Sequence, residues 1–272
     1  MGSEVGYSVR KQKEITALDN TTEAPATPLR DQVALITGGV HRIGAHTARK
    51  LHAEGMRLVL HYRESRAAAQ KLQAELNEQR ADSVVLVRAD LLDQAALPAV
   101  IHDAHSAWNR LDVLINNASS FYSTPVGTVT ETQWNDLMGT NLKAPFFLSQ
   151  AAAPHLKKHQ GCIVNIVDIH ADRPLKNFPV YSMAKAGLVM LTKAMACELG
   201  PEVRVNAVAP GAILWPEHEM DQVTQQRIIS RTFLKRQGSP ENIARAVLFL
   251  IRDADYTSGQ VITVDGGRSL NS

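Results

Sequence analysis

The stretch TGGVHRIG, residues 37–44, joins a short apolar run to a helix-like segment that begins at Ala45. Gly38 suits a tight turn after a strand, and Gly44 suits close packing of the helix against that turn. The N-terminus of such a helix offers free N–H groups and the positive end of its dipole, which favour a pyrophosphate. The stretch therefore predicts a dinucleotide-binding turn, although any tight strand-to-helix connection also favours glycine.

Short apolar runs recur along the chain, and they are hydrophobic throughout rather than alternating. They lie at residues 33–36, 58–60, 84–87, 113–115, 163–167, 203–208 and 261–264. Runs of this kind predict parallel strands that are covered on both faces. Helix-like segments separate them at residues 65–79, 94–108, 131–155, 180–199 and 241–251. This alternation predicts an α/β fold with a doubly wound parallel sheet.

Composition and charge narrow the class of protein. The chain has 272 residues, and its 29 Lys and Arg against 27 Asp and Glu leave a net charge of +2, which indicates neither nucleic acid nor a membrane surface as partner. No run of about 18 apolar residues predicts a membrane span. Cys162 and Cys197 are too few for a disulfide framework, and we interpret them as buried thiols in a reducing, cytoplasmic setting. His155 and His159 have the spacing of a metal pair but lack a third ligand nearby, so no metal site is predicted.

Length and patterning predict one domain over residues 31–272. Residues 1–30 lack sustained periodicity and the pattern of a secretory signal, and we interpret them as an extension or an expression remnant. The least regular later segment, about residues 210–237, is the predicted substrate loop. Trp215 within it is expected either to close over the substrate or to pin the loop.

The second apolar run leads into HYRES, residues 61–65. Chains selective for NAD usually have an acidic residue at the end of this strand, where it binds the adenine ribose 2′-hydroxyl. Here the expected surroundings of that ribose are His61, Tyr62, Arg63 and Ser65, with Arg42 from the glycine turn. Their donors and positive charge suit a 2′-phosphate, provided that Glu64 points to solvent or pairs with an arginine. The sequence therefore predicts NADP(H) rather than NAD(H).

Tyr181 and Lys185 stand four residues apart at the start of a predicted helix, where they share one face. An ammonium near the phenol would stabilise the phenolate and bring the pKa of Tyr181 closer to neutral, which suits acid–base work. Taken alone, the pair could also be a half-buried tyrosine beside a lysine whose stem covers apolar surface.

Several motifs occur in one order along the chain. They are the glycine turn, Asn116-Asn117-Ala118, Gly139-Thr140-Asn141, the Tyr181 and Lys185 pair, Pro210-Gly211 and Asp265-Gly266-Gly267. From about residue 33 to residue 267 the chain resembles the short-chain dehydrogenase/reductase family. The resemblance implies a single Rossmann-type domain with seven parallel strands and helices on both faces. It also implies a homotetramer in which the helices around residues 137–152 and 180–199 pack between subunits.

The resemblance implies roles for individual residues as well. Asn141 is expected to shape a proton-relay water, and Lys185 to hold the nicotinamide ribose in addition to assisting Tyr181. Asp90 is expected to contact adenine, and Asn117 to lie beside the adenosine. The other expected cofactor contacts are Gly38, His41, Ile43, Gly44, Leu91, Ala118, Ser119, Pro210, Gly211 and, through its backbone, Ile213.

Asp168 departs from the family pattern, which ordinarily has Ser about 13 residues before the Tyr. An ionised carboxylate would repel a developing alkoxide, which argues against ordinary ketone reduction. Reduction of a C=N bond instead needs a proton on nitrogen, and an aspartate bonded to Tyr181 can belong to that relay. The alternative is that Asp168 only caps the loop after its strand. His170 in the same loop is expected either to face the pocket or to be exposed.

Arg42, Asp168 and the stretch SSFY at residues 119–122 make the chain resemble the pteridine reductase branch of that family. The branch implies that Phe121 stacks the pterin against the nicotinamide and that Ser119 binds substrate and cofactor. Arg42 is expected to reach both phosphate and pterin, and a flat heteroaromatic ring suits such a platform with fixed polar groups.

These features predict an NADPH-dependent oxidoreductase acting on CH–NH bonds. Hydride goes to the C=N carbon of a dihydropterin or dihydrofolate, while Tyr181, helped by Asp168 and Lys185, protonates the nitrogen. One alternative is a short-chain reductase for dihydromonapterin or a carbonyl substrate. Another is a catalytically silent NADP(H)-sensing protein, although such a sensor would not need Asn141, Tyr181 and Lys185 together.

Overall fold

The computed structural model describes residues 29–213 and 221–271. Within these ranges the strands are β1 Val33–Ile36, β2 Arg57–Tyr62, β3 Val84–Arg88, β4 Val113–Asn116, β5 Cys162–Ile166, β6 Arg204–Pro210 and β7 Val261–Val264. They form one sheet in the order β3-β2-β1-β4-β5-β6-β7, and every pairing is parallel. The predicted α/β fold with a seven-stranded, doubly wound sheet is therefore confirmed.

Helices cover both faces of the sheet. They are α1 Arg42–Ala53, α2 Arg66–Gln79, α3 Leu97–Ser106, α4 Glu131–Met138, α5 Ala144–Lys157, α6 Pro179–Leu199, α7 Gln222–Ser230 and α8 Pro240–Arg252. Side chains of β1 alternate between the faces: Ala34 and Ile36 join a core with α1, α2 and α8, whereas Val33 and Leu35 join a core with α3 and α5. Because both faces are buried, the strands are apolar throughout.

The helix predicted at residues 131–155 is interrupted. Helix α4 ends at Met138, a π-helical turn spans Gly139–Lys143, and α5 follows directly. Such wide turns often occur at functional sites, and this one contains the buried Asn141. The apolar pattern predicted one continuous helix here and did not indicate the turn.

The predicted substrate loop contains secondary structure of its own. Helix α7 lies within residues 210–237, and Asp221 caps it by accepting a hydrogen bond from Thr224 N at 2.9 Å. Trp215 falls in residues 214–220, which lie outside the described residues.

The packed part of the chain begins before the predicted boundary at residue 31. Leu29 is buried in the same core as α1, and its carbonyl accepts a hydrogen bond from Gln32 N at 3.1 Å. The rest of the predicted extension, residues 1–28, lies outside the described residues. Cys162 is buried as predicted, whereas Cys197 is exposed because the buried positions of α6 end at Thr192. No helix in the two described ranges is long and apolar enough to cross a membrane.

Candidate active site

The glycine turn after β1 has the shape predicted from its sequence. Gly38 adopts a φ of +58°, a left-handed conformation that glycine accepts without strain. A Cβ at Gly44 would clash with the Gly38 carbonyl and would come within 2.7 Å of Asn117 Nδ2. The first turn of α1 carries no acidic residue. Glycine at this position lets α1 pack closely on the turn, and the positive N-terminal end of the helix fits a dinucleotide pyrophosphate.

Arg42 begins α1 with a φ of 49°, also in the left-handed region. A side chain in this conformation costs about 1 kcal/mol or more relative to glycine, which explains why glycine is common at this position in dinucleotide turns. Because α1 begins at Arg42, the helix starts three residues earlier than predicted. The strained residue brings an exposed guanidinium to the helix N-terminus, where an anion would bind.

Asn117 holds the glycine turn in place. Its Nδ2 donates to the Thr37 carbonyl at 2.9 Å and to the Gly38 carbonyl at 3.0 Å. The Thr37 hydroxyl accepts from Asn117 N at 2.9 Å and from Ala118 N at 3.0 Å. Thr37 was not among the predicted site residues, yet it joins the ends of β1 and β4. Its position directly before the glycines was the available signal.

His61 and Tyr62, which are predicted cofactor contacts, are both buried at the end of β2. Tyr62 is buried in the core with α1 and α2, because alternate side chains of β2 point into that layer. The buried His61 ring bonds Gly38 N at 3.2 Å and the Ala89 carbonyl at 3.1 Å. Both side chains are therefore structural at this end of the sheet.

Two arginines flank the carboxyl ends of β2 and β3. Arg63 is exposed, and its guanidinium lies 3.5 Å from Glu64, a pairing that the sequence allowed for. Arg88 was not among the predicted site residues, although it is the one charged residue in the run VVLVR, and its Nε donates to the Arg63 carbonyl at 3.1 Å. Ser65 directly precedes α2, and its hydroxyl makes no capping bond. Arg63, Arg88 and Ser65 thus stand at the same end of the sheet.

The other predicted cofactor contacts after β3 and before α1 lie in differing surroundings. The exposed Asp90 closes a turn by accepting a hydrogen bond from Leu92 N at 3.0 Å. Leu91 is buried in the core with α3 and α5. His41 is exposed at the N-cap of α1, and Ile43 packs against the core from the first turn.

The end of β6 meets the end of β7 beside the site. Pro210 ends β6, and a Cβ at Gly211 would lie 2.5 Å from the Cβ of Asp265, so only glycine fits there. Ile213 is buried, and its carbonyl accepts from Gln237 Nε2 at 3.1 Å. The predicted backbone contact of Ile213 with the cofactor stays a prediction.

Asp168 and Tyr181 form a hydrogen-bonded pair. The Tyr181 hydroxyl donates to Asp168 Oδ2 at 2.7 Å. Asp168 Oδ1 accepts from His170 N at 2.8 Å and so caps the short 3₁₀ turn Ile169–Ala171. Asp168 therefore caps its loop with one oxygen and contacts the phenol with the other.

The protonation states of Tyr181 and Lys185 differ from the expectation. Burial and the charge of Asp168 raise the pKa of Tyr181 well above its ordinary value of 10.0, instead of lowering it. Burial lowers the pKa of Lys185 to about 8, while the charge of Asp168 acts in the opposite direction. Lys185 Nζ donates to the Ile166 carbonyl at 2.9 Å and lies 5.7 Å from the Tyr181 ring centroid. The phenol of Tyr181 is therefore protonated near pH 7.

Ser119 and Asn141 border the phenol on its other side. The Ser119 hydroxyl donates to Asn141 Oδ1 at 2.6 Å, and its hydrogen bonding to Tyr181 acts to lower the pKa of that phenol. Asn141 Nδ2 donates to the carbonyls of Ser120 and Leu137, both at 2.9 Å. The π-helical turn thus anchors the loop that carries Ser119.

Phe121 lies against the phenol with its ring half exposed. Its centroid is 4.7 Å from that of Phe178 in a stacked arrangement and 4.8 Å from that of Tyr181 in an edge arrangement. The ring is 47% exposed, which leaves surface for a further flat ring. Phe178 was not among the predicted residues, although an aromatic residue three positions before Tyr181 was visible in the sequence.

The structure therefore brings together Asp168, Tyr181, Lys185, Ser119 and Phe121, as predicted. His170 does not offer its Nδ1 to the pocket, since that nitrogen bonds the Arg173 carbonyl at 3.0 Å. Chemically, the cluster holds a protonated phenol beside a carboxylate, an ammonium and an aromatic face. In the part of the chain that is described, no group of three or more His, Cys, Asp or Glu side chains is placed to hold a metal ion.

Comparison with known proteins agrees with this geometry. A family model described as enoyl-(acyl carrier protein) reductase matches residues 39–269. Pteridine reductase 1 of Leishmania tarentolae is 36% identical over 92% of this chain and 99% of its own length. A Streptomyces violaceoruber protein named as a granaticin polyketide synthase ketoacyl reductase has the same identity and coverage. The 3-oxoacyl-(acyl-carrier-protein) reductase of Synechocystis is 34% identical over 89% of this chain and 98% of its own length. The chain therefore belongs to the short-chain dehydrogenase/reductase family of oxidoreductases.

Proposed function

We propose that this oxidoreductase is an NADPH-dependent pteridine reductase, which reduces a C=N bond of a dihydropterin or dihydrofolate to the tetrahydro form. One observation carries the proposal: an aspartate, Asp168, stands 2.7 Å from the hydroxyl of Tyr181, where the family ordinarily has Ser. The relative named Pteridine reductase 1 supports the same conclusion. The alternative is a carbonyl substrate, because other relatives are named as oxoacyl reductases.

NADPH would supply the hydride when bound. The chain itself has to hold the substrate ring, deliver a proton to its nitrogen and keep the phenol protonated until then. Phe121 offers a flat apolar face next to Tyr181, which orients a heteroaromatic ring over the hydroxyl. The raised pKa of Tyr181 keeps its proton available, and the Lys185 ammonium stabilises the charge left on the phenol oxygen after transfer.

The carboxylate of Asp168 decides between C=N and C=O. Reduction of a carbonyl places negative charge on oxygen, which a neighbouring carboxylate destabilises. Reduction of an imine gives a neutral amine once the nitrogen is protonated, so no anion develops beside Asp168. The half-exposed Phe121 adds selectivity for a flat ring over an acyl chain.

A substrate panel tests this function. NADPH oxidation is measured with dihydrobiopterin, dihydrofolate, dihydromonapterin and a set of ketones, and we expect the highest kcat/KM with a dihydropterin or dihydrofolate. Phe121→Ala should lower that value by about 10- to 100-fold, the effect of losing an aromatic face that the substrate covers. Phe249→Ala, which removes an exposed phenyl group from α8, is the matched control.

Two outcomes would contradict this assignment. Preferred reduction of ketones would make the chain a carbonyl reductase. Tight NADPH binding without turnover of any substrate would favour the silent NADP(H) sensor.

We also propose that NADP(H) is preferred over NAD(H). The Arg88 guanidinium bonds the Arg63 carbonyl at 3.1 Å, which brings the two residues together at the end of β2, and no acidic residue ends that strand. Arg63→Ala and Arg88→Ala should each weaken NADPH binding about tenfold and leave NADH binding nearly unchanged, because only NADPH carries the 2′-phosphate. Binding is measured by NADPH fluorescence, with Arg245→Ala on α8 as the charge-matched control. If the variants lose equal affinity for NADPH and NADH, neither arginine recognises the 2′-phosphate.

The assembly and setting are proposals of the same kind. We propose a homotetramer, which an apolar groove on α5 and α6 supports, since Phe146 and Met190 expose large side chains there beside Leu142. A reducing, cytoplasmic setting agrees with the free thiols of Cys162 and Cys197.

A further inference from the structure

His61 makes hydrogen bonds to two other elements from a buried position at the end of β2. Gly38 N, in the glycine turn, lies 3.2 Å from His61 Nδ1. His61 Nε2 lies 3.1 Å from the carbonyl of Ala89, directly after β3. The backbone takes part too, because Gly39 N donates to the His61 carbonyl at 3.1 Å. One residue therefore joins the turn after β1 to the segment that follows β3.

These partners determine the tautomer of the ring. Gly38 N is a donor, so Nδ1 must carry its lone pair toward it. The Ala89 carbonyl is an acceptor, so Nε2 must carry the proton. The neutral Nε2–H form alone satisfies both bonds, since an imidazolium would direct a second N–H at the Gly38 amide.

We propose that His61 is a positioning residue for the dinucleotide: its neutral ring holds Gly38 in the shape that accepts the pyrophosphate, and protonation of the ring releases the turn and weakens cofactor binding. This inference rests on the proposed NADP(H) site. It differs from the role expected from the sequence, in which His61 would contact the adenine ribose or its phosphate.

The electrostatic surroundings support a neutral ring near pH 7. Burial lowers the pKa of His61 below its ordinary value of 6.5, while the Ala89 carbonyl and the charge of Asp90 act in the opposite direction. Other charged groups at this end of the sheet are Arg42, Arg63 and Arg88. The ring therefore stabilises the turn fully above pH 6.5, and this contribution is lost as the pH falls from there through the folded-state pKa.

Two isosteric variants separate the two bonds. In His61→Asn the side-chain Oδ1 occupies the place of Nδ1 and can still accept from Gly38 N, whereas in His61→Gln the amide Nε2 can still donate to the Ala89 carbonyl. We expect His61→Gln to bind NADP⁺ about tenfold more weakly at neutral pH, the effect of leaving a buried N–H without an acceptor. His61→Asn should bind nearly as the wild type does. His102→Asn, at an exposed position on α3, is the control.

The pH dependence of cofactor binding gives the second readout. The affinity for NADP⁺ is measured by calorimetry at several pH values between 5 and 8. Wild type and His61→Asn share the titration of the 2′-phosphate, so only an additional loss of wild-type affinity at low pH reports His61. Parallel curves for the two proteins, or unchanged binding by His61→Gln, would overturn the proposal.

Imidazole ¹⁵N shifts of the cofactor-free protein test the ring directly and need no variant. We expect the Nε2–H tautomer, whereas an Nδ1–H tautomer or an imidazolium at pH 7 would overturn the proposal. The ring and the cofactor are tested by separate measurements. If the tautomer is as expected but neither NADP⁺ nor NAD⁺ binds, the proposed cofactor is wrong, and the positioning role is then wrong as well.

Discussion

Tyr181→Phe is expected to lower kcat/KM for dihydropterin reduction by about 10²- to 10⁴-fold, the range for removal of a general acid. In the proposed reaction this phenol is the proton donor, and burial and Asp168 raise its pKa and keep it protonated until transfer. The variant keeps the ring that packs against Phe121, so NADPH binding should change little. Steady-state kinetics measure the loss, and fluorescence titration measures the binding.

Tyr122→Phe is the matched control. The Tyr122 hydroxyl donates to the Gln133 carbonyl at 3.2 Å, and burial, with the neighbouring Asp136, raises its pKa to about 12. The variant therefore removes a comparable hydroxyl from the same part of the chain without altering the bond to Asp168. Equal losses in the two variants would mean that Tyr181 acts through the fold rather than through its proton.

The pH profile gives this prediction a second readout. The pKa of Lys185 is lowered to about 8, so its side chain is charged below that pH and neutral above it. The charged form stabilises the phenol oxygen after proton transfer, and kcat/KM should therefore fall as the pH rises through about 8. A profile that stays level through this range would exclude the charge of Lys185 from the proton transfer.

The fold was predictable because its signals are local. Each strand is a short apolar run, and the helices alternate with them, so the order of elements can be obtained from neighbouring residues alone. The Tyr181 and Lys185 pair was visible for the same reason, since four residues make one helical turn. Asp168 was found as a departure from a family pattern, which needs no coordinates.

Hydrogen bonds between distant residues could not be predicted in this way. The sequence indicated that His61 and Asn117 lie near the cofactor, but their partners are 23 and 79 or more residues away. Thr37 and Arg88 gain their positions from strand pairing, which places β1 beside β4 and β2 beside β3. Phe178 joins the site only because a loop returns its ring to Phe121. Such partners depend on tertiary packing rather than on local pattern.

Asp168→Ser is expected to reverse the preference between the two kinds of substrate. The hydroxyl removes the negative charge and adds a donor directed at a carbonyl oxygen, so ketone reduction should increase, by up to about 10²- to 10³-fold if the donor is well placed. Dihydropterin reduction should fall by a similar factor, because Tyr181 loses the partner that its hydroxyl bonds at 2.7 Å. The ratio of kcat/KM for the two substrates is the measurement, and it is independent of the amount of folded protein.

Asp168→Asn separates the charge from the shape. Its amide oxygen can still accept from His170 N, as Asp168 Oδ1 does at 2.8 Å, so the 3₁₀ turn keeps its cap. If charge decides the substrate, this variant should relieve the repulsion of an alkoxide and lose dihydropterin reduction as the Ser variant does. Asp172→Ser, at an exposed position in the same loop, should change neither activity. Unaltered dihydropterin reduction in both Asp168 variants would show that the carboxylate only caps its loop, and the case for C=N selectivity at this site would then be lost.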